Sequence, residues 1–552
     1  MGKPYKPDVG LDTVILGGHG MLEVDDPTFD AEAAPYVEDF SKQYEQLSLD
    51  SNQAYWDLYS TGKSDELEKV QERERELYSS DELYTNMAKW DGHITDPMLA
   101  RQVKGLYEAA KQYHSDKDRL EEIDKKTNEV NEIHMNYRAT YQGKEVTDTE
   151  LRKVLEEEKN PALRKEAWLA SNAKGDKVAP GLIELVKLRN EFAQSQGYSN
   201  FFEMRLKEQD IDPQKLYDLL DDLDKVSEAP FTERRDASKE KIAKLFNIQL
   251  DELRPWHFGY DIDKFSKELD AHFPKSRQLK ILKSSYNDMG YDLDAMGVQY
   301  DLEQRPGKTQ HAFCFGMSIP DDVRIIANEE PTHYFQEVLH HESGHAVYDK
   351  GIPAALPPLL RGCASSVMTE GAAMMFERLA NDAAWLQEYG GVPKELAERN
   401  EEKNRKGGQS FIRAYLAYIN FEKALYEDPD QDLAGLWWDL REKYSQTPKP
   451  EDTSLNGWAE TIHFTGYPAY LQNYLLAEMV AAQLHDKLVD ENGSVIGNPK
   501  TAEWLDREVF AQGATMDEAD LLVQATGEKL NPQHYVDYVF GRDDDDRDDG
   551  NP

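Results

Sequence analysis

Two histidines four residues apart, His341 and His345, constrain the fold of this 552-residue chain more than any other feature of its sequence. Residues at that spacing lie on one face of an α-helix, so both imidazoles can reach the same metal ion. Glu342, between them in sequence, points toward the same cleft but off the metal, where it can take a proton from a metal-bound water. We therefore predict a catalytic site with one Zn²⁺ per chain. The alternative is a surface helix that carries two unrelated histidines.

The residues around this pair predict one buried helix. Pro331 and Thr332 form a start signal, and Gly351 followed by Pro353 forms a stop signal. Apolar residues recur between these signals at helical spacing. Gly344, inside the helix, costs about 1 kcal/mol relative to alanine. We therefore expect another element to approach the helix closely at this glycine.

A catalytic zinc ion takes a third protein ligand. Residues 365–376 predict a second buried helix, which Ser365 or Ser366 would cap. Glu370 is the only acidic residue in the first two turns, and an unpaired buried carboxylate is either protonated or bound to a metal. We predict Glu370 as the third ligand, with Glu377 on the same face as the second candidate or as a supporting acid. The alternative is a neutral Glu370 that is hydrogen-bonded to the backbone.

The segments HHESGH (340–345) and TEGAAMMFERLA (369–380) together resemble the gluzincin peptidases of the angiotensin-converting-enzyme type (peptidyl-dipeptidase A), especially their soluble prokaryotic members. The thimet-type oligopeptidases are a more distant resemblance. The similarity is specific between residues 307 and 484. It implies that His341, His345 and Glu370 bind zinc and that Glu342 is the general base on zinc-bound water. It also implies hydrolysis of short peptides, including release of C-terminal dipeptides.

Two short segments, 310–315 and 322–326, alternate or are apolar between turn residues, which predicts a β-hairpin beside the metal. The resemblance implies that its edge strand pairs with the peptide backbone. It also implies that His311 and Ala312 bind the substrate. The alternative is a structural hairpin with a surface histidine.

A further segment, 462–474, is rich in aromatic residues. The resemblance places Tyr474 on the tyrosine that stabilises the oxyanion. With a shift of one residue, it places His463 near a histidine that contacts the substrate, and Tyr470 is a further substrate-binding candidate. Aromatic side chains on helices are more often part of the core than catalytic, which is the alternative for all three.

The chain departs from the converting-enzyme pattern at several positions. Leu471 replaces a tyrosine that holds the substrate C-terminus, and Asn473 replaces a chloride-binding arginine. The basic residue expected two positions before the histidine is absent. Met374 replaces an aspartate that supports the ligands, which leaves Asp349 or Glu377 for that role. An endo-acting oligopeptidase or a carboxypeptidase of the same fold is therefore an alternative function. A non-catalytic peptide-binding helical protein is an alternative of a different class.

The net charge of −42 is spread along the chain without a basic patch, which excludes nucleic acid as a partner. Such an excess of carboxylate is typical of halophilic proteins, because their carboxylates repel each other at low salt. We expect a halophilic enzyme; the alternative is an acidic mesophilic protein with a polyanionic tail. The sequence has neither a signal-peptide pattern nor an apolar run long enough to span a membrane. We therefore expect a cytoplasmic protein. We also expect a monomer.

Helical periodicity dominates the rest of the chain, as in residues 31–78 and 97–139. Helix starts are predicted at Thr147 to Glu150, at Pro161 and after the segment 210–213. We predict a mainly α protein with a small β-hairpin beside the zinc site. The resemblance implies two helical halves flanking a deep substrate channel. Residues 1–300 would cover the channel, residues 301–540 would carry the zinc site, and residues 541–552 would form a disordered acidic tail.

Overall fold

The computed structural model describes residues 27–114, 117–209, 211–260, 265–309 and 311–541. The predicted acidic tail, apart from its first residue, lies outside the described residues, and so does the N-terminal segment without a signal-peptide pattern. Within the described ranges, no helix combines the length and the apolar character that a bilayer span needs.

The described residues are mostly helical, which confirms the mainly α prediction. The helices of the N-terminal part are α1 (Pro27–Thr61), α2 (Leu67–Tyr78), α3 (Asp81–Trp90), α4 (Pro97–His114), α5 (Lys117–Asn136), α6 (Asp148–Glu157), α7 (Pro161–Ser195), α8 (Phe201–Glu208), α9 (Pro213–Phe246), α10 (Phe265–Asp270) and α11 (Lys275–Asp288). Those of the C-terminal part are α12 (His333–Gly351), α13 (Ser366–Leu379), α14 (Ala383–Trp385), α15 (Lys394–Glu427), α16 (Leu433–Ser445), α17 (Ile462–Gly466), α18 (Leu471–Asn492), α19 (Lys500–Glu508), α20 (Glu518–Thr526) and α21 (Gln533–Phe540).

Several helices begin where the sequence predicts. Thr147 and Glu150 form a capping box at the start of α6. Pro161 is the first residue of α7, and the Asp212 side chain accepts hydrogen bonds from the first turn of α9. These starts depend on side-chain oxygens that satisfy unpaired backbone N–H groups, so they can be recognised without knowledge of tertiary contacts.

A small three-stranded sheet contains the predicted hairpin. Strands β4 (Phe313–Ser318) and β5 (Asp322–Ile326) pair antiparallel, which confirms the hairpin. A strand that the sequence does not predict, β3 (Gln299–Asp301), pairs parallel to β5. The strand order is β3-β5-β4, so β4 forms one edge of the sheet. A separate two-stranded hairpin consists of β1 (Ala139–Tyr141) and β2 (Lys144–Val146).

Helix α1 packs against the edge strand β4. The Asn52 Nδ2 atom donates to the carbonyls of Gly316 at 3.0 Å and Met317 at 3.3 Å. The rings of Tyr59 and Phe313 lie 4.8 Å apart in an edge-to-face arrangement. A side-chain amide thus occupies backbone acceptors near the C-terminal end of β4 and covers that part of the edge.

The loop that enters β4 is anchored on the last turn of α1. The Thr309 N–H donates to the carbonyl of Tyr59 at 2.8 Å. At the neighbouring glycines, a Cβ added to Gly62 would lie 2.7 Å from the Gly307 carbonyl oxygen, and both residues have positive φ. Only glycine permits this conformation and this close approach together. The end of α1 therefore fixes the loop between β3 and β4.

Helices α12, α13 and α18 pack closely in the largest hydrophobic cluster of the described residues. A Cβ on Gly344 of α12 would lie 2.8 Å from the Ala373 Cα of α13, which confirms the expected close approach. A Cβ on Gly371 of α13 would lie 2.6 Å from the Val480 side chain of α18. This cluster extends from Ile123 to Val539 and so includes residues on both sides of residue 300. The proposed division into residues 1–300 and 301–540 stays a prediction.

Candidate metal centre

The histidine pair and the candidate glutamate lie on two neighbouring helices whose starts are capped as the sequence predicts. The Thr332 side chain accepts from the N–H of Phe335 and caps α12, which ends at Gly351. The Ser365 side chain accepts from the N–H of Met368 and caps α13. With both helices fixed at their N-termini and packed at Gly344, their polar side chains face each other.

His341, His345 and Glu370 lie close together. The two Nε2 atoms are 3.2 Å apart, and the Glu370 carboxylate oxygens lie 3.5 Å from the Nε2 of His341 and 3.6 Å from that of His345. In a tetrahedral zinc site with bonds of about 2.0–2.1 Å, ligand atoms are about 3.3–3.4 Å apart. Among the described residues, this is the one group of His, Cys, Asp and Glu side chains that could hold a metal ion.

The other ring nitrogens of the two histidines are held by α13. The His341 Nδ1 lies 2.8 Å from a Glu377 carboxylate oxygen, and the His345 Nδ1 lies 2.8 Å from the Thr369 hydroxyl. Partners of this kind orient an imidazole so that its Nε2 faces the metal. Of the two candidates for a supporting acid, Glu377 contacts His341, whereas Asp349 lies against Gly316 of β4. The contribution of Thr369 is not predicted by the sequence, although this residue directly precedes Glu370.

Glu342 lies beside this group without joining it. Its side chain is buried, with 8% exposed, and it accepts a hydrogen bond from the backbone N–H of Cys314 in β4. Burial raises the pKa of Glu342 to about 7, opposed by the positive charge of His341. Burial also raises the pKa of Glu370. A buried and a half-buried carboxylate next to two imidazoles favour a bound cation, so the donor set fits zinc.

A cavity of about 910 Å³ opens next to these side chains. This volume is within the usual range for small-molecule and peptide sites. Sequence-predicted residues in its lining are His341, Glu342, Tyr474, His311 and Ala312. The structure thus brings together α12, the N-terminal end of β4 and α18 around one space. Lining residues that the sequence does not single out include Gln304, Arg305, Asn328 and Tyr334. They lie in loops or at a helix start, where no periodic pattern marks them.

His463 and Tyr470 lie next to Tyr474 but are not among the residues that line the cavity. The His463 ring is 5.9 Å from the Tyr474 ring, and the Tyr470 ring is 5.3 Å from it. Burial lowers the pKa of His463, which favours a neutral imidazole. Burial raises the pKa of Tyr470 to about 12, so this phenol keeps its proton.

The turn that carries these aromatic residues is held from behind by two buried ionisable side chains. Arg189 of α7 donates to the carbonyls of Phe464 at 3.0 Å and Thr465 at 2.6 Å. Glu422 of α15 accepts from the N–H of Ala469 at 2.7 Å, and Ala469 has a positive φ of 52°. Because Arg189 and Glu422 are far from this turn in sequence, nothing in the sequence identifies them as its supports.

The chain matches the sequence model of the carboxypeptidase Taq (M32) metallopeptidase family over residues 79–417 and 419–542. The chain belongs to this family. Helix α1 and all of α2 precede the matched residues. A similar curated protein is carboxypeptidase 1 from Bacillus subtilis (strain 168), with 25% identity over 306 residues, which cover 49% of this chain. The chain spans 58% of the length of that relative.

The carboxypeptidase Taq family is a metallopeptidase family, and His341, His345 and Glu370 could hold a metal ion, which together confirm the predicted zinc cofactor. It supports the zinc-peptidase part of the resemblance stated above. The match is to the carboxypeptidase Taq family and not specifically to the angiotensin-converting-enzyme or thimet types.

Proposed function

We propose that this protein is a zinc-dependent carboxypeptidase that removes C-terminal residues from short peptides. The observation that carries this proposal is the group of His341, His345 and Glu370, which lies beside Glu342. His341 and Glu342 also line a cavity of about 910 Å³. The family match and the name of the Bacillus subtilis relative support the carboxypeptidase type.

In this proposal, His341, His345 and Glu370 hold the metal. Zinc supplies a Lewis acid that makes water more acidic and polarises the scissile carbonyl. Glu342 takes the proton of the attacking water, and the water oxygen forms a bond to the carbonyl carbon. When the C–N bond breaks, Glu342 gives that proton to the leaving amine. The Cys314 N–H holds the Glu342 carboxylate in position through both transfers.

Tyr474 is the proposed donor to the oxyanion that develops on the carbonyl oxygen. Its side chain lines the same cavity as Glu342. Burial raises the pKa of Tyr474, so its hydroxyl keeps the proton that it must donate. A donor that is already in place at the start of the reaction stabilises charge without a reorganisation cost.

The edge of β4 is the proposed binding site for the peptide backbone. His311 and Ala312 line the cavity where the strand begins, whereas Asn52 occupies the carbonyls of Gly316 and Met317 farther along. A peptide can therefore pair with the N-terminal part of the strand. Short peptides as substrates, a monomeric state, a cytoplasmic location and a halophilic setting stay predictions.

Mass spectrometry of products from a peptide series tests the proposal. The zinc-loaded full-length protein is incubated with peptides that carry a blocked N-terminus, a C-terminal amide or both. Successive loss of single residues from free C-termini supports the carboxypeptidase function. Loss of dipeptides would favour the peptidyl-dipeptidase type, and internal cleavage would favour an oligopeptidase. Binding without hydrolysis across the series would favour the non-catalytic peptide-binding protein.

A further inference from the structure

Arg305 is the residue with a permanent positive charge among the described residues that line the cavity. It lies in the loop between β3 and β4, and His311, which also lines the cavity, lies in the same loop. A carboxypeptidase must bind a carboxylate at the end of its substrate. The position of Arg305 therefore raises the question of its ligand.

Two cations share one carboxylate at this point of the loop. The Asp301 carboxylate accepts from Arg305 Nη1 at 2.7 Å, from Arg305 Nη2 at 2.6 Å and from Lys308 Nζ at 3.0 Å. The group of Asp301, Arg305 and Lys308 thus carries one net positive charge at neutral pH. The Lys308 side chain is 0% exposed, whereas that of Arg305 is 34% exposed. Of the two cations, Arg305 is therefore the one that reaches the cavity.

The guanidinium group of Arg305 is held by several hydrogen bonds, and one of its N–H donors is not used in them. Its Nε donates to the Ser60 carbonyl of α1 at 3.0 Å, and its Nη1 also approaches the Glu303 carbonyl at 3.4 Å. Together with the two bonds to Asp301, these contacts leave one Nη2 N–H without a partner among the described residues. A fixed guanidinium with a spare donor is well suited to a carboxylate, because little side-chain freedom is lost on binding.

Antiparallel pairing of a peptide with β4 would place this donor at the C-terminal end of the substrate. A peptide that pairs antiparallel to β4 has its C-terminal end at the N-terminal end of the strand. Residues 304–311 lead into the strand at that end, and both Arg305 and His311 line the cavity there. The C-terminal residue of the peptide would then lie between the metal ligands of α12 and the loop of Arg305.

We propose that Arg305 binds the C-terminal carboxylate of the peptide substrate and so makes the enzyme prefer a free C-terminus. This inference rests on the proposed function. A hydrogen bond to a charged group changes affinity by about 10- to 100-fold. A peptide acid should therefore bind more tightly than its amide by a factor in that range.

Binding to the full-length Glu342→Gln protein tests this proposal without turnover. The probes are an N-acetylated tripeptide with a free C-terminus and the same tripeptide as its C-terminal amide, titrated by calorimetry. Arg305→Gln, added to this background, should weaken binding of the acid about 10- to 100-fold and leave binding of the amide unchanged. An acid preference that survives Arg305→Gln overturns the proposal, and so does an equal loss for both probes.

Arg361→Gln is the matched control. Arg361 also donates from its Nε to a backbone carbonyl and from an Nη to a carboxylate of α1, that of Glu45, but it does not line the cavity. The acid preference should survive this change. If Arg305→Gln does not fold, Arg305→Lys replaces it. A lysine that stays paired with Asp301 lacks the fork, so the acid preference should fall several-fold, and an unchanged preference overturns the proposal.

Product analysis of the wild-type enzyme separates this proposal from the proposed function. Internal cleavage, or equal hydrolysis of acids and amides, would contradict the carboxypeptidase function. Release of C-terminal residues with the same ratio of kcat/KM for acids and amides in wild type and Arg305→Gln would contradict only the assignment of Arg305.

Discussion

At the scale of single residues, the proposed mechanism separates two kinds of carboxylate within one site. Glu370 lies 3.5 and 3.6 Å from the two histidine Nε2 atoms, as a metal ligand must. Glu342 instead accepts a hydrogen bond from the Cys314 N–H. The same chemical group can therefore act as ligand or as base, and its neighbours decide between the two roles.

Replacing each glutamate by glutamine tests this separation. Glu342→Gln should retain zinc and lower kcat by about 10²–10⁴, because it removes proton transfer and leaves the ligands intact. Glu370→Gln should instead lose zinc at micromolar chelator concentrations. Metal content measured by mass spectrometry and peptide hydrolysis measured on the same samples give the two results. A Glu342→Gln protein that lacks zinc would contradict the assignment of Glu342 as base.

Tyr474→Phe removes one hydroxyl and preserves the ring. We expect kcat to fall by about 10²–10³ with unchanged zinc content and melting temperature, because one preorganised donor is lost. Tyr470→Phe is the matched control, since Tyr470 is an adjacent tyrosine that does not line the cavity. If Tyr470→Phe is the more damaging change, the roles of the two tyrosines are reversed. If neither change matters, His463 becomes the candidate donor.

The metal group can be predicted from the sequence because helical spacing alone brings His341 and His345 together, and an isolated acid in an apolar helix marks Glu370. Arg305 cannot be predicted in this way. It lies in a loop without periodicity, and its orientation depends on the Ser60 carbonyl, 245 positions away. Contacts of this kind follow from the tertiary fold and leave no local pattern.

At the scale of elements, the packing of α12 on α13 sets the distance between the histidines and Glu370. Gly344→Ala should lower the free energy of unfolding by about 1–3 kcal/mol and weaken zinc binding, because its Cβ would lie 2.8 Å from the Ala373 Cα. The control is Gly105→Ala in α4, where a Cβ has nothing within 4 Å. That change should be neutral or stabilising. Urea denaturation of both variants gives the comparison, and equal effects would contradict the packing argument.

The support of the aromatic turn by α15 predicts a pH dependence. Glu422 is fully buried, and burial raises its pKa from 4.5 to about 7. The folded state therefore favours the protonated form. The contribution of Glu422 to the free energy of unfolding is therefore fully present below pH 4.5. It is lost as the pH rises through 7.

Glu422→Gln removes this titration and keeps an acceptor for the Ala469 N–H. The free energy of unfolding of the variant minus that of wild type should be larger at pH 8.5 than at pH 5, by roughly 3 kcal/mol at most. Denaturation curves at both values measure the gain. Any fixed cost of the amide is the same at both values and cancels. A difference between variant and wild type that does not change with pH would contradict the prediction.

At the scale of the whole molecule, the net charge of −42 dominates long-range electrostatics. Repulsion between surface carboxylates is screened by salt, with a Debye length of about 10 Å at 0.1 M and about 3 Å at 1 M. The melting temperature should therefore rise by several degrees between 0.1 and 2 M KCl. Calorimetry at neutral pH measures it, and a flat profile would contradict a halophilic adaptation of the surface.

The helix starts and the hairpin can be predicted from the sequence, whereas the way in which distant elements pack against each other cannot. Capping residues such as Thr147 and Asp212 act within one turn, so their effect is local. Strand β3 has three residues, too few for a recognisable period, and it is fixed by pairing with β5. The contact of α1 with β4 joins residues 264 positions apart, and no local preference specifies it.

The contact of α1 with β4 affects where a shortened form of this protein can begin. A fragment that starts at residue 79, where the family similarity begins, would keep both helices of the candidate metal centre and all three proposed metal ligands. It would lose the Ser60 carbonyl that holds Arg305 and the Asn52 amide that covers the end of β4. It would also lose Gly62, which packs against Gly307 in the loop that enters β4. Such a fragment could bind zinc and still process peptides poorly. Homology alone would therefore set the cloning boundary too late, and the shorter product would be mistaken for a weak enzyme.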